Sequence, residues 1–367
     1  MRPGWEPKIP YRRRPGGGYA HTRMRAATEA FSVVIPTYQR RASLERVLSA
    51  LREVEWPADA LEVLVVSDGG TDGSVEMARA FEMPFPTRVL EQANQGPAAA
   101  RNLGVASARN PFVLFLDDDV VPSRRLVAEH ARAHDGRHDR VVLGPLLEPP
   151  ARLQPWVRWE CRTLAEQYRA MRAGEWAPTP WQLYTGNASL LAEHVRRAGG
   201  FDAAYRRAED VELGFRLERL GCEFVFNPAA EGLHYAERSY ASWIDSAHQY
   251  GRNDILFGKG EERAAGQFRY RHPLTRALVR WGVRHRTTGA ALPALSRAAI
   301  EAADRLRAEG LSHQLCSAVF NLQYWLGVSD ELGSADAALR LAEMGSPPGL
   351  LSRARSALPI GVRGRRP

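Results

Sequence analysis

The sequence predicts a doubly wound α/β fold: a mostly parallel sheet flanked by helices, followed by a helical C-terminal extension. Three observations carry this expectation. From Phe31 onward, short apolar runs alternate with helical segments. The runs are near-continuously apolar, as strands buried on both faces require. Single helices separate them, which is the spacing of parallel crossovers.

Taken in order, the predicted elements are a strand at 31–35, a helix at 43–54, a strand at 61–67, a helix at 73–81 and a strand at 88–90. A helix at 97–108, a strand at 112–116, a helix at 124–134 and a strand at 141–143 continue the rhythm. After Pro149 it breaks into a stretch holding Trp156, Trp159, Trp176 and Trp181. A helix near 210–220 and a short strand at 223–226 follow. From Ser239 most segments read as helical, with breaks at Pro273, Pro293 and Gly310. No internal repeat is present.

Composition narrows the function classes. The 367 residues are 44% hydrophobic and 25% charged, ordinary proportions for a folded chain. The net charge of +8 is unevenly placed. Residues 1–30 and 351–367 together carry +10, leaving 31–350 at −2. The basicity therefore belongs to the ends, and nucleic acid is not an expected partner. Residues 1–30 read as a flexible basic arm. Cys161, Cys222 and Cys316 are too few and scattered for a disulfide framework, which fits a reducing, cytoplasmic setting. No N-terminal apolar targeting run is seen, and the uncharged stretch from Leu311 to Ser329 reads as a buried helix rather than a membrane span.

Ligands of such a sheet sit beyond the carboxyl ends of its strands, and the polar motifs fall there. The first strand runs into Pro36-Thr37-Tyr38-Gln39-Arg40. Pro36 ends the ladder, Tyr38 offers a stacking face and Arg40 a fork for phosphate. The second strand ends at Asp68-Gly69-Gly70-Thr71-Asp72-Gly73-Ser74, where Asp68 can accept from a base or ribose and the glycines admit a ligand. No G-x-G-x-x-G or P-loop pattern occurs. Gly96-Pro97 opens an alanine-rich helix whose N-terminus suits an anion, with Arg101 one turn in. Asp117-Asp118-Asp119 end a buried strand, and three such carboxylates call for a cation. On an extended chain Asp117 and Asp119 share a face, suiting Mg²⁺ or Mn²⁺. His130, His134 and His138 recur every four residues beside a loop and read as solvated.

These blocks, with Thr185-Gly186-Asn187-Ala188, Gly199-Gly200-Phe201-Asp202 and Glu209-Asp210-Val211-Glu212-Leu213, stand in the order and approximate spacing of family 2 glycosyltransferases. The resemblance covers about residues 31–235. It implies a GT-A fold, a nucleotide-diphosphate sugar donor, a divalent cation (Mn or Mg), and inversion at the anomeric carbon. Pro36, Thr37, Tyr38, Arg40, Asp68, Gly96 and Arg101 would line the donor pocket. Asp117 or Asp118 would touch ribose, and Asp119 would be the principal metal ligand, with Asp117 and a late His234 as further ligands. Asp210 matches the position of the catalytic base, with Glu209 as second choice; a helix N-cap is the competing role for Asp210.

On this reading the chain divides into a basic arm at 1–30, a catalytic domain at 31–260, a helical region at 261–350 and a basic tail at 351–367. The nucleotide-binding half would span about 31–145 and the acceptor half about 146–260. The tryptophans could stack on an acceptor sugar or simply be buried, and Arg252 could cover the diphosphate or pair at the surface. The acceptor would be a sugar, a lipid-linked sugar or another hydroxyl compound, in polysaccharide, glycolipid or glycoconjugate synthesis. The basic termini would allow peripheral contact with the inner face of a membrane. Two rival readings are a silent sugar-nucleotide-binding scaffold and a sugar nucleotidyltransferase. The latter lacks its expected Gly-rich activation loop near the N-terminus.

Overall fold

A computed structural model describes residues 29–205, 207–258, 273–285 and 292–344. Apart from Glu29 and Ala30, the expected basic arm and the basic tail lie outside the described residues.

The chain begins with β1 (Phe31–Thr37), α1 (Arg41–Leu51), β2 (Leu61–Asp68), α2 (Ser74–Ala80), β3 (Thr87–Gln92), α3 (Pro97–Ser107) and β4 (Phe112–Leu116). Then come β5 (Val120–Pro122), α4 (Leu126–His134), β6 (Arg140–Leu143), β7 (Leu146–Leu147), α5 (Pro155–Arg172), β8 (Asn187–Leu191) and α6 (Ala192–Arg197). They are followed by α7 (Glu209–Arg219), β9 (Glu223–Phe226), β10 (Gly232–His234) and α8 (Tyr240–Gly258). The C-terminal region holds α9 (Pro273–Arg284), α10 (Leu292–Arg305), α11 (Glu309–Leu332) and α12 (Ala335–Met344).

Seven strands form the main sheet in the order β3-β2-β1-β4-β8-β6-β9. Every residue of β1, β2 and β4 is buried, which is why their sequences are mostly apolar without alternation. The pairings among β3, β2, β1 and β4 are parallel, so the predicted doubly wound layout holds. β8 runs antiparallel between β4 and β6. Helix α3 lies close on the sheet: a Cβ on Gly104 would sit 2.3 Å from Val34 Cγ1, so the small residues there serve packing.

A second sheet of three short strands, β5-β10-β7, is absent from the sequence-based expectation. It matters for function, because β10 pairs antiparallel with β5 and sets His234 opposite Val120, next to Asp119.

His130 and His134 are not solvated. Both are fully buried on α4, where His130 bonds Ser189 Oγ at 2.8 Å and Asn187 Oδ1 at 2.9 Å, and His134 Nε2 meets Ser189 Oγ at 2.8 Å. Burial lowers their pKa values, to about 4 for His130 and about 3 for His134, so both are neutral. Their spacing of four keeps them on the helix face turned to β8.

The stretch after Pro149 folds into α5, with Trp156 and Trp159 buried against α8 and α11. The uncharged stretch from Leu311 lies in α11. Among the described residues no helix is long and apolar enough to cross a membrane. Helices α8 and α11 touch backbone to backbone: a Cβ on Gly251 would lie 2.0 Å from the Tyr324 carbonyl, and one on Gly327 2.0 Å from that of His248. Arg252, on α8, pairs with Glu331 at 3.4 Å and does not line the cavity described next, so it has no place over a diphosphate.

Candidate active site

The donor-pocket, metal and base residues named from the motifs all line one cavity of about 800 Å³ beyond the carboxyl ends of β1, β2 and β4, whereas Arg252, Trp156 and Trp176 do not. Its size and position are those of a ligand site in an open α/β sheet.

One wall is built by the loops after β1 and β2. Asp68 is buried, and its carboxylate accepts from Gln92 Nε2 at 2.7 Å and from the backbone N–H groups of Gln95 and Gly96 at 2.8 Å each. It thus holds the loop that opens α3 against the end of β2. Gly96 itself sits at φ +91, a conformation that side-chain-bearing residues rarely adopt. Tyr38 lies at the cavity rim, 49% exposed, with its ring free to stack.

The three aspartates do not divide as an extended chain would place them. β4 ends at Leu116, and a turn closed by Val120 N–H to the Asp117 carbonyl at 3.0 Å rotates the side chains apart. A single nitrogen of Arg40, Nη1, donates to both Asp118 at 3.2 Å and Asp119 at 2.5 Å. Asp117 turns instead to Arg101, at 2.8 Å. Thr37 donates to Asp118 Oδ2 at 2.7 Å.

These contacts push the neighbours' pKa values in opposite directions. Burial, helped by the adjacent Asp119 charge, raises Asp118 to about 7 against the pull of Arg40. Burial also opposes ionisation of Asp119, but the hydrogen bond and charge of His234 and the Arg40 guanidinium outweigh it, so Asp119 lies far below the usual carboxylate range. His234 Nε2 sits 3.4 Å from Asp119 Oδ1, and the same contact raises the imidazole pKa despite its burial.

Helix α7 supplies further lining residues. Its N-cap is Ala208, at φ 61, so Asp210 stands one residue inside the helix and does not cap it. Glu209 is bound to Arg101 Nη1 at 2.8 Å. Arg101 is 6% exposed and links Asp117 to Glu209. Asp210 makes no ion pair of its own among the described residues. It accepts from the N–H of Val211 at 2.8 Å and, at 3.5 Å, of Thr185. Burial, then the Glu209 charge, pushes its pKa up to about 7, with Arg101 opposing.

Among the described residues, no three His, Cys, Asp or Glu side chains form a ready-made metal cage. Asp119 and His234 nonetheless fit a partial one. Mg²⁺ and similar ions are commonly held by one or two protein ligands, with phosphate oxygens and water filling the rest at about 2.1 Å.

Several lining residues escaped the motif search: Glu160, Arg207, Arg238, Tyr250 and Asp254. None belongs to a motif. The available signal was a lone acid, Asp254, before the apolar run Ile255-Leu256-Phe257.

Comparison with known proteins bears on the family and the fold. The model of the glycosyl transferase family 2 matches residues 32–197. Validoxylamine A glucosyltransferase of Streptomyces hygroscopicus subsp. jinggangensis is 30% identical over 247 residues, covering 59% of this chain and 58% of that protein. The chain therefore spans less than two thirds of that relative's length. The uncharacterized glycosyltransferase YfnE of Bacillus subtilis is 35% identical over 264 residues, covering 58% and 67%. A mannosyltransferase from Pyrobaculum calidifontis, solved in complex with GDP-Man and Mn²⁺, superposes with a TM-score of 0.53 at 19% identity over 92% of this chain and 83% of that one. That likeness is one of fold, and identifies the sheet and its helices as GT-A. With the sequence matches, it places the chain among the glycosyltransferases, as a member of family 2.

Proposed function

We propose that the chain is a metal-dependent, inverting transferase that moves a sugar from a nucleotide-diphosphate donor to an acceptor hydroxyl. One arrangement supports the reading: Asp119 and His234, 3.4 Å apart, line the same cavity as Asp210, whose pKa burial raises to about 7 and which has no ion pair among the described residues.

The donor's nucleoside would lie along the β1 and β2 loops, with its base against Tyr38 and its ribose near Asp117 or Asp118. Asp119 and His234 would hold Mg²⁺ or Mn²⁺, which when bound neutralises charge on the diphosphate as the sugar leaves. Arg40 and Arg101 add fixed positive charge on the same side. Asp210 takes the proton of the acceptor hydroxyl as its oxygen bonds to the anomeric carbon and the bond to phosphate breaks. One base and one displacement give inversion. Glu209 is the poorer base, because Arg101 already occupies it.

Turnover of a panel of nucleotide sugars, with Mg²⁺ or Mn²⁺ and with chelator, tests this reading. Asp119→Ala should cut metal-stimulated turnover about 10²-fold or more, the scale of losing one group that stabilises developing charge. Equal turnover with and without metal would refute the metal role. Tight donor binding with no turnover under any condition would favour the silent scaffold.

A further inference from the structure

The same cavity is also lined by residues of α5, α8 and α11, and of these helices α8 and α11 lie beyond the segment matched by the family model. Its polar groups are incompletely used. Asp254 is only 5% exposed, yet its sole hydrogen bond among the described residues is from Tyr324 Oη, at 2.6 Å to Oδ2. Its Oδ1 is left for the cavity it lines. Tyr250 lies one turn earlier on the same face of α8, and its hydroxyl has no hydrogen-bond partner among the described residues. Arg207 also lines this part of the cavity, and its guanidinium has no hydrogen bond or ion pair among the described residues. Burial raises the Tyr250 pKa, with Arg238 and Glu160 the strongest charges acting on it and Arg207 and Asp210 weaker ones. Glu160 and Arg238, paired at 2.7 Å, complete the polar wall. Trp159 and Phe320 supply an apolar surface.

Buried polar groups left open cost free energy unless a ligand satisfies them. A carboxylate accepts from hydroxyls, a guanidinium donates to them, and an aromatic face covers the C–H side of a ring. We infer that this part of the cavity is the acceptor site, and that the acceptor enters it as a polyhydroxylated ring, a sugar or cyclitol, held by Asp254, Tyr250 and Arg207 with one hydroxyl turned to Asp210. This rests on the transferase reading above. The same ring chemistry can come from a free sugar or from the sugar of a lipid-linked carrier.

The test uses the full chain. Free monosaccharides, myo-inositol, the same sugars on a polyprenyl diphosphate, and a serine peptide are offered with each nucleotide sugar. Binding of the free rings is followed separately by saturation-transfer NMR, with UDP or GDP present. Rings should bind and accept sugar. Asp254→Asn and Tyr250→Phe should each raise the acceptor KM about tenfold, the scale of a hydrogen bond to a charged or buried group. The donor KM should move less than twofold. Free rings and lipid-linked rings as the better acceptor distinguish the two sources. Preference for the peptide, or neither form of ring binding, would overturn the inference. So would variants that fold, by an unchanged Tm, and leave the acceptor KM in place. Absence of donor binding would instead refute the transferase reading, since the NMR arm needs no turnover.

Discussion

Asp210→Asn should lower kcat about 10²- to 10⁴-fold while leaving nucleotide-sugar affinity within a fewfold of the parent. The range is what a positioned general base contributes. Asparagine keeps the shape of the side chain, and its carbonyl can still accept from the Val211 N–H, so the start of α7 should survive. Only the capacity to take a proton is lost. The pH profile gives the sharper signature. Burial and the neighbouring Glu209 raise the Asp210 pKa to about 7, and the working form is the deprotonated one. Activity should therefore rise with pH through about 7 and level off above it. That limb should vanish in the variant's residual activity. A profile flat from pH 5 to 9 in the parent, or a loss under tenfold in the variant, would mean that another group takes the proton.

The second large effect is structural. Arg101→Met should destabilise the fold by about 3–5 kcal/mol, the cost of removing one partner from a buried ionic group. Arg101 is the shared partner of Asp117 and Glu209, each at 2.8 Å, and it lies over the Phe201 ring at 5.8 Å. Without it two carboxylates face each other across a poorly solvated cavity. Arg101→Lys should recover only part of the loss, because a single ammonium cannot present a planar fork to both acids. Thermal unfolding reads the result directly, with a drop in Tm on the order of 10 °C. The drop should shrink in acid, where the stranded carboxylates take up protons. An unchanged Tm with activity lost would assign Arg101 to ligand binding alone.

Legibility from sequence followed burial and length. β1, β2 and β4 were readable because both of their faces are covered and their residues are mostly apolar, with polar exceptions such as Ser32, Glu62 and the strand-end Asp68. β8 was not: Asn187–Leu191 mixes small and polar residues, and it owes its place to antiparallel pairing with β4 and β6. Two- and three-residue strands such as β7 and β10 have no period to detect. The helix carrying His130 and His134 was foreseen, but its inward face was not, because histidines at a spacing of four look alike whether wet or buried. At the site, motifs at strand ends located residues that line the cavity. The rotation of Asp117 away from Asp119 depended on a turn that alternation cannot anticipate. Asp254 and Tyr250 were hidden because single polar residues within a helix reveal their role only once α11 packs over them.

The arginines inside the acidic cleft have one more consequence. Arg40 and Arg101 already offset the charge of Asp117, Asp118, Asp119 and Glu209 before any ligand arrives. A site built from bare carboxylates would have its assembly tied to the ion supply. Here two guanidinium groups of the chain itself hold the acids in place. In the proposed reaction, a cation held by Asp119 and His234 would take the place of the Arg40 contact on Asp119. Arg40 would then stand free to pair with the donor's phosphates.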